Sequence, residues 1–193
     1  MSTPPVTEVK KRFGEGAVAT PANFITVGRL LLAIPTLILI YHRGSGWITV
    51  GLWFVLACTD GVDGWLARRD GTTRSGAFLD PLADKILVLG GFGALALRDQ
   101  LSWIAFAIVA IREFGISAYR SYAARRGVSL PARQMGKWKT VLQFLAVGAV
   151  LFPPTADMVG LQQAVIFVAI VLTIVSGLDI VRRGLQETRV DSA

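Results

Sequence analysis

Six apolar stretches follow one another along the chain, at about 24–43, 47–66, 77–97, 101–123, 138–153 and 160–181. Each approaches the roughly 20 residues that a helix needs to cross the hydrocarbon core of a bilayer. The second, third and fourth carry charges, so their assignment rests on spacing and flanks as well as on apolar content. With 193 residues, 53% of them apolar, and a mean hydropathy of +0.55, the chain is almost used up by these stretches and the short turns between them. In lipid only helices or closed barrels satisfy the backbone. The predicted fold is therefore all-α, an integral membrane protein of six transmembrane helices. They form one domain over residues 21–185, with a polar tail or interfacial helix at 1–20 and a short tail at 186–193. A cleaved signal peptide is not expected: Lys10, Lys11 and Arg12 flank the first stretch, but no small-residue cleavage site follows, and Arg29 interrupts it.

Basic residues orient the helices, because cytoplasmic turns carry the excess of Lys and Arg. Lys10, Lys11 and Arg12 lie before the first stretch, and Arg68, Arg69 and Arg74 between the second and third. Arg120, Arg125, Arg126, Arg133, Lys137 and Lys139 lie around the fourth-to-fifth turn, and Arg182, Arg183 and Arg189 near the C-terminus. The opposite turns hold only Arg43 and Arg98. Both termini are thus expected in the cytoplasm, and Trp47 and Trp103 on one side and Trp65 and Trp138 on the other fit interfacial belts. The net charge of +7 reads as this bias plus attraction to anionic lipid or phosphate, with no nucleic-acid partner. Cys58 is the single cysteine and is expected to be a packed thiol, with no disulfide or cysteine metal site within one chain. His42, also single, lies in an outer turn and is given no role.

Against this apolar background the segment "DGVDGWLARRDGTTRSGAFLDPLADK" concentrates charge. Asp60 and Asp63 are spaced i, i+3 near the inner end of the second helix, and Asp80 and Asp84 i, i+4 at the start of the third. Each pair lies on one helix face. The short Gly-rich turn between them makes the two helices antiparallel neighbours, so that all four carboxylates converge. A carboxylate at the bilayer centre costs roughly 2.5–3.5 kcal/mol, less near the interface, and four together repel, so cations must offset them. Two Mg²⁺ or Mn²⁺ ions balance four carboxylates, the ligands such hard ions prefer. The blander alternative is a cap or salt-bridge cluster with Arg68, Arg69 and Arg74. A two-metal site suits an in-line displacement at phosphorus. Gly64 and Gly76 leave room for a ligand beside the acids, and Ala67 keeps that face shallow. Gly90, Gly91 and Gly93 are read as helix-packing glycines.

These residues carry a resemblance. The pattern D-x2-D-G-x2-A-R, then G-x3-D-x3-D, resembles the signature of the CDP-alcohol phosphotransferases, with seven residues between Arg68 and Gly76, one fewer than in many members. The six-helix plan agrees, so the resemblance covers most of the chain. It implies that Asp60, Asp63 and Asp80 are metal ligands, and that Asp84, close to the metals, is the base that takes the acceptor hydroxyl's proton. It also implies that Gly64, Ala67, Arg68 and Gly76 line the site for the cytidine diphosphate, and that the protein is a homodimer. A pyrophosphate needs a cation, and Arg68 lies one turn from Asp63 and Gly64.

Other segments bear on the acceptor. "IREFGISAYR" sets Arg112 and Glu113 in an apolar helix with Ser117 and Arg120 on the same side. An intramembrane Arg–Glu pair is a functional hypothesis, with internal pairing as the alternative. "MGKWKTVLQF" brings Lys137 and Lys139 to the layer of the acids, where a phosphorylated acceptor needs cations. In "NFITVGR" Asn23, Thr26 and Arg29 form a stripe. They are assigned to the CDP site, with a helix cap and a back-bonded hydroxyl as the alternatives for Asn23 and Thr26. Together these segments resemble the phosphatidylglycerophosphate-forming bacterial branch of the family. That resemblance implies transfer of a phosphatidyl group from CDP-diacylglycerol to sn-glycerol 3-phosphate, giving phosphatidylglycerophosphate and CMP at the cytoplasmic face of the cell membrane. Open alternatives are another acceptor (inositol phosphate, or phosphatidylglycerol as in cardiolipin synthesis), a membrane prenyltransferase, and a cation-coupled transporter, which also buries acids but often shows repeats absent here.

Overall fold

The computed structural model describes the backbone of residues 20–70, 74–127 and 134–190; the side chains of residues 22, 60–78, 134, 135, 137 and 187–190 fall outside that description. The described chain forms α1 (Pro21–Arg43), α2 (Trp47–Asp70), α3 (Arg74–Leu97), α4 (Trp103–Arg125), α5 (Gln134–Leu151) and α6 (Val159–Val190). A 3₁₀ turn at Pro153–Thr155 precedes α6, and no strand occurs among the described residues. The all-α expectation holds.

Local chemistry sets the ends of the helices. Thr20 caps α1, its hydroxyl accepting from the Asn23 N–H at 3.3 Å, and Pro21 occupies the first turn, where no N–H is needed. The cap is thus Thr20 and not Asn23. Gly44, at φ +66°, ends α1 and sends its N–H to the Ile40 carbonyl. Ser102 caps α4 in the same manner as Thr20, accepting from Ile104 at 3.2 Å. At this end of the bundle Arg98 donates to the Tyr41 carbonyl at 2.6 Å, and the Gly46 N–H reaches the Leu151 carbonyl, so the turns are tied to one another.

α1 packs on both α2 and α3, α5 on α6, α2 and α3, and α4 on α6 and α3. α2 and α3 touch where Trp53 covers Gly91 and where Leu56 and Leu87 meet Ala33, but α1 is the larger partner of each. The three glycines of α3 serve three different neighbours. A Cβ at Gly90 would strike Leu37 of α1, one at Gly91 the Trp53 ring of α2, and one at Gly93 would press on Phe106 of α4. The packing expectation for them holds. Trp53 is anchored further by donating Nε1 to the Phe144 carbonyl at 3.0 Å. Its ring lies in a core with Phe92, Leu95, Val147, Val150 and Ile166.

The expected packed thiol is corrected: Cys58 is exposed. At 3.6 residues per turn, Trp53 and Leu56 fix the inward face of α2, and a residue two positions beyond Leu56 points about 200° away from it.

The exterior is apolar as well as the core. Large apolar side chains such as Leu31, Ile34, Phe54, Ile111, Phe114, Phe167 and Leu178 face outward, whereas Thr26, Arg29, Glu113, Lys139, Gln143, Thr173 and Ser176 are buried. Among the described residues two stretches, Asn23–Arg43 and Val159–Gln186, are long and apolar enough to cross a membrane. An apolar exterior, with polar side chains kept inside beside the apolar core, is what lipid as a solvent selects.

Candidate active site

At the end of the bundle where α3 and α5 begin and α4 and α6 finish, a cavity of about 510 Å³ opens between these four helices. Its two sides differ in charge. α3 contributes Asp80 and Asp84, one helical turn apart, with Lys85 beside them. Facing them are Arg112 and Arg120 of α4, Lys139 of α5 and Arg183 of α6, together with Glu113, Ser117, Ser176 and Asp179.

Each side is held by contacts between helices. Thr26 of α1, wholly buried, donates its hydroxyl to Asp80 Oδ1 at 2.9 Å and so fixes one carboxylate from the neighbouring helix. On the opposite side Lys139 Nζ donates to Glu113 Oε1, and Arg112 Nη1 donates to the same oxygen at 3.3 Å. Arg112 Nη2 donates to Ser176 Oγ of α6 at 3.2 Å. Its stem can cross α6 because residue 177 is glycine, where a Cβ would lie 3.3 Å from Arg112 Cγ. Asp179 holds Arg183, accepting Nη2 at 2.6 Å on its carboxylate and Nε at 3.2 Å on its carbonyl.

The residues singled out in the sequence distribute as follows. Asp80, Asp84, Arg112, Arg120 and Lys139 come together at the cavity. Thr26 reaches it through Asp80, while Asn23 and Arg29 are buried on α1 without lining it. Asp60, Asp63, Gly64, Ala67 and Arg68 lie on α2, Gly76 on α3 and Lys137 on α5, with side chains outside the description, as does the turn at 71–73. Asp179 and Arg183 are additions. Their i, i+4 spacing at the end of the last apolar run was the available signal, but Arg183 also fits a positive-inside charge.

Among the described side chains no group of three acids is close enough to hold a metal. Asp80 and Asp84 supply two of the motif's four carboxylates. Aspartate oxygens on a shared helix face, one of them already oriented by Thr26, are the donor chemistry that Mg²⁺ or Mn²⁺ takes.

Comparison with known proteins agrees with this arrangement. Residues 19–175 match the family model of the CDP-alcohol phosphatidyltransferases. The chain is similar to a Mycobacterium tuberculosis (strain H37Rv) protein named "Probable phosphatidylglycerophosphate synthase", at 36% identity over 181 residues, covering 90% of this chain and 86% of that one. It is 37% identical over 159 residues to the CDP-diacylglycerol–glycerol-3-phosphate 3-phosphatidyltransferase of Haemophilus influenzae, covering 78% of this chain and 85% of that one. The protein of the same name from Sodalis glossinidius is 38% identical over 159 residues, covering 78% and 87%. The family match takes in α1 to α5 whole and the first half of α6, and hence most of the walls of the cavity; the chain belongs to the CDP-alcohol phosphatidyltransferase family.

Proposed function

We propose that this chain transfers a phosphatidyl group from CDP-diacylglycerol to sn-glycerol 3-phosphate, giving phosphatidylglycerophosphate and CMP. The observation that carries it is the cavity itself, with two aspartates on one wall and four cationic side chains on the others. A reaction that joins a metal-bound pyrophosphate to a phosphorylated alcohol needs both walls; the names of the Haemophilus influenzae and Sodalis glossinidius relatives supply the two substrates.

Asp60, Asp63, Asp80 and Asp84 are suited to hold two Mg²⁺ or Mn²⁺ ions. When bound, such ions would neutralise the pyrophosphate and the charge that develops on the leaving CMP. Asp84 takes the proton from the acceptor hydroxyl. The acceptor oxygen then bonds to the lipid-side phosphorus as the bond from that phosphorus to the bridging oxygen breaks, and CMP departs with the bonding pair. Gly64, Ala67, Arg68 and Gly76, with Asn23, Thr26 and Arg29 of α1, form the CDP site. Arg112, Arg120, Lys137 and Lys139 receive the acceptor's phosphate, Arg183 adding to them.

We place the protein in the cell membrane as a six-span homodimer, with both termini and the cavity at the cytoplasmic face. Every α-helix but α5 has 23 residues or more, about 35 Å at 1.5 Å per residue, enough for the hydrocarbon core. Substrates soluble in water then enter from the cytoplasm while the diacyl tails stay in the leaflet.

The assay is CMP release by the purified protein, which should require both CDP-diacylglycerol and glycerol 3-phosphate; acceptor-independent ion uptake into vesicles, with no CMP, would mark a transporter instead. Orientation has its own test. Because Cys58 is exposed, the background for labelling must be Cys58→Ser. In it, Thr72→Cys should react only with reagents that reach the cytoplasm and Ser45→Cys with impermeant reagents from outside; labelling of Thr72→Cys from outside would reverse the topology.

A further inference from the structure

We infer that Glu113 is a positioning residue for the acceptor's phosphate, one carboxylate that sets the spacing and aim of two cations on the floor of the cavity. The inference rests on the proposed acceptor and goes beyond it, since no acid is otherwise needed on the phosphate side. Glu113 is 6% exposed and Lys139 3%. Both Lys139 Nζ and Arg112 Nη1 donate to the same oxygen, Oε1, from two different helices. Arg112 is braced a second time by Ser176, whose own hydroxyl donates to the Thr173 carbonyl at 3.0 Å. α4 and α5 are therefore joined through one carboxylate, and Arg112 extends the tie to α6.

Charge decides between a structural ion pair and a ligand site. A pair kept only for packing is neutral, with one acid for one base. Here one carboxylate oxygen is shared by two bases in a mostly buried layer. The other acid whose charge reaches Lys139 is Asp84, which is assigned to the metals and the acceptor hydroxyl, so Glu113 alone leaves the two cations with a surplus positive charge. All three residues line the cavity, so an anion entering it meets that surplus. The donors also remain in supply. A lysine ammonium has three N–H groups and a guanidinium five; the described contacts use one of Lys139's donors, and buried Arg112 Nε has no hydrogen-bond partner among the described residues. Without the carboxylate the two cations repel, and Lys139, on a flexible four-carbon stem, swings out of register. The acids of α3 belong to a different helix from Glu113 and its two cations, so the donor substrate should depend far less on Glu113 than the acceptor does.

The test is steady-state kinetics of the full-length protein, varying glycerol 3-phosphate and CDP-diacylglycerol in turn. Glu113→Gln should raise the KM for glycerol 3-phosphate about tenfold to hundredfold, the size of one weakened charged hydrogen bond. The KM for CDP-diacylglycerol and kcat at saturating acceptor should move far less, and Glu113→Asp should recover part of the loss. Inorganic phosphate, as a competitive inhibitor, should weaken in parallel. Because removing one partner of a buried pair can unfold a protein, a double variant, Glu113→Gln with Lys139→Met, provides a second arm. Its acceptor KM should exceed that of Lys139→Met by much less than the Glu113→Gln factor, since Glu113 acts in part through the lysine and only Arg112 is then left for it to hold. An unchanged acceptor KM in folded Glu113→Gln, or additive effects in the double variant, would overturn the positioning role. A wild-type protein that releases no CMP with glycerol 3-phosphate overturns instead the acceptor on which the inference rests.

Discussion

Asp84→Asn is expected to lower CMP release by about a hundredfold to ten-thousandfold, the usual range for loss of a general base, while CDP-diacylglycerol still binds. Asp84 lines the cavity one turn beyond Asp80, on the wall that faces the cations. An acceptor whose phosphate rests on those cations brings its hydroxyl towards that wall. The asparagine is nearly the same size and keeps a carbonyl oxygen, so the cavity's shape survives and only the proton acceptor is lost. Turnover should therefore fall far more than nucleotide affinity, and the pH dependence on the acidic side should flatten. If binding of CDP-diacylglycerol falls as steeply as turnover, Asp84 is chiefly a metal ligand and another group takes the proton.

Removal of divalent metal should have an effect at least as large. EDTA should abolish CMP release, and Mg²⁺ or Mn²⁺ should restore it. A metal at a transferring phosphoryl group stabilises charge by several kcal/mol, and at about 1.4 kcal/mol per decade that is two decades of rate or more. Asp60→Asn, Asp63→Asn and Asp80→Asn should each abolish turnover or raise the metal concentration needed for half-maximal activity, with the protein still inserted in the membrane. Thr26→Val makes a milder companion: it removes the hydrogen bond to Asp80 and should raise the metal requirement without abolishing activity. Full activity in EDTA, or in all three asparagine variants, would leave the acids with a structural role as partners of Arg68, Arg69 and Arg74.

The helices were legible because apolar runs and their breakers are local signals. Their ends were less so. α5 begins at Gln134, ahead of the apolar run at 138, and α6 continues to Val190, past 181, because polar residues with good helix propensity extend a helix beyond what hydropathy sees. The Asp motif announced the metal wall, since i, i+3 and i, i+4 spacings declare a shared face. The contact from Thr26 to Asp80 spans 54 positions. A local stripe could place Thr26 on a face of α1 but could not say which helix that face would meet. The same holds for Arg112 and Glu113: from their spacing alone pairing and function are rival explanations, and the bundle supplies the third member, Lys139, that makes them one arrangement. Cys58 was misjudged because apolar content carries no rotational phase; Trp53 and Leu56 set it. Arg183 was counted with the orienting charges because its partner, Asp179, stands four residues earlier inside an apolar run.

The most direct measurement offers the purified protein CDP-diacylglycerol with equimolar glycerol 3-phosphate, inositol phosphate and phosphatidylglycerol, and identifies the lipid formed alongside CMP. Phosphatidylglycerophosphate should appear in a one-to-one ratio with CMP, with little of the other products, and should vanish when glycerol 3-phosphate is omitted. A different lipid product would contradict the acceptor, and the absence of CMP with every acceptor would contradict phosphatidyl transfer by this chain.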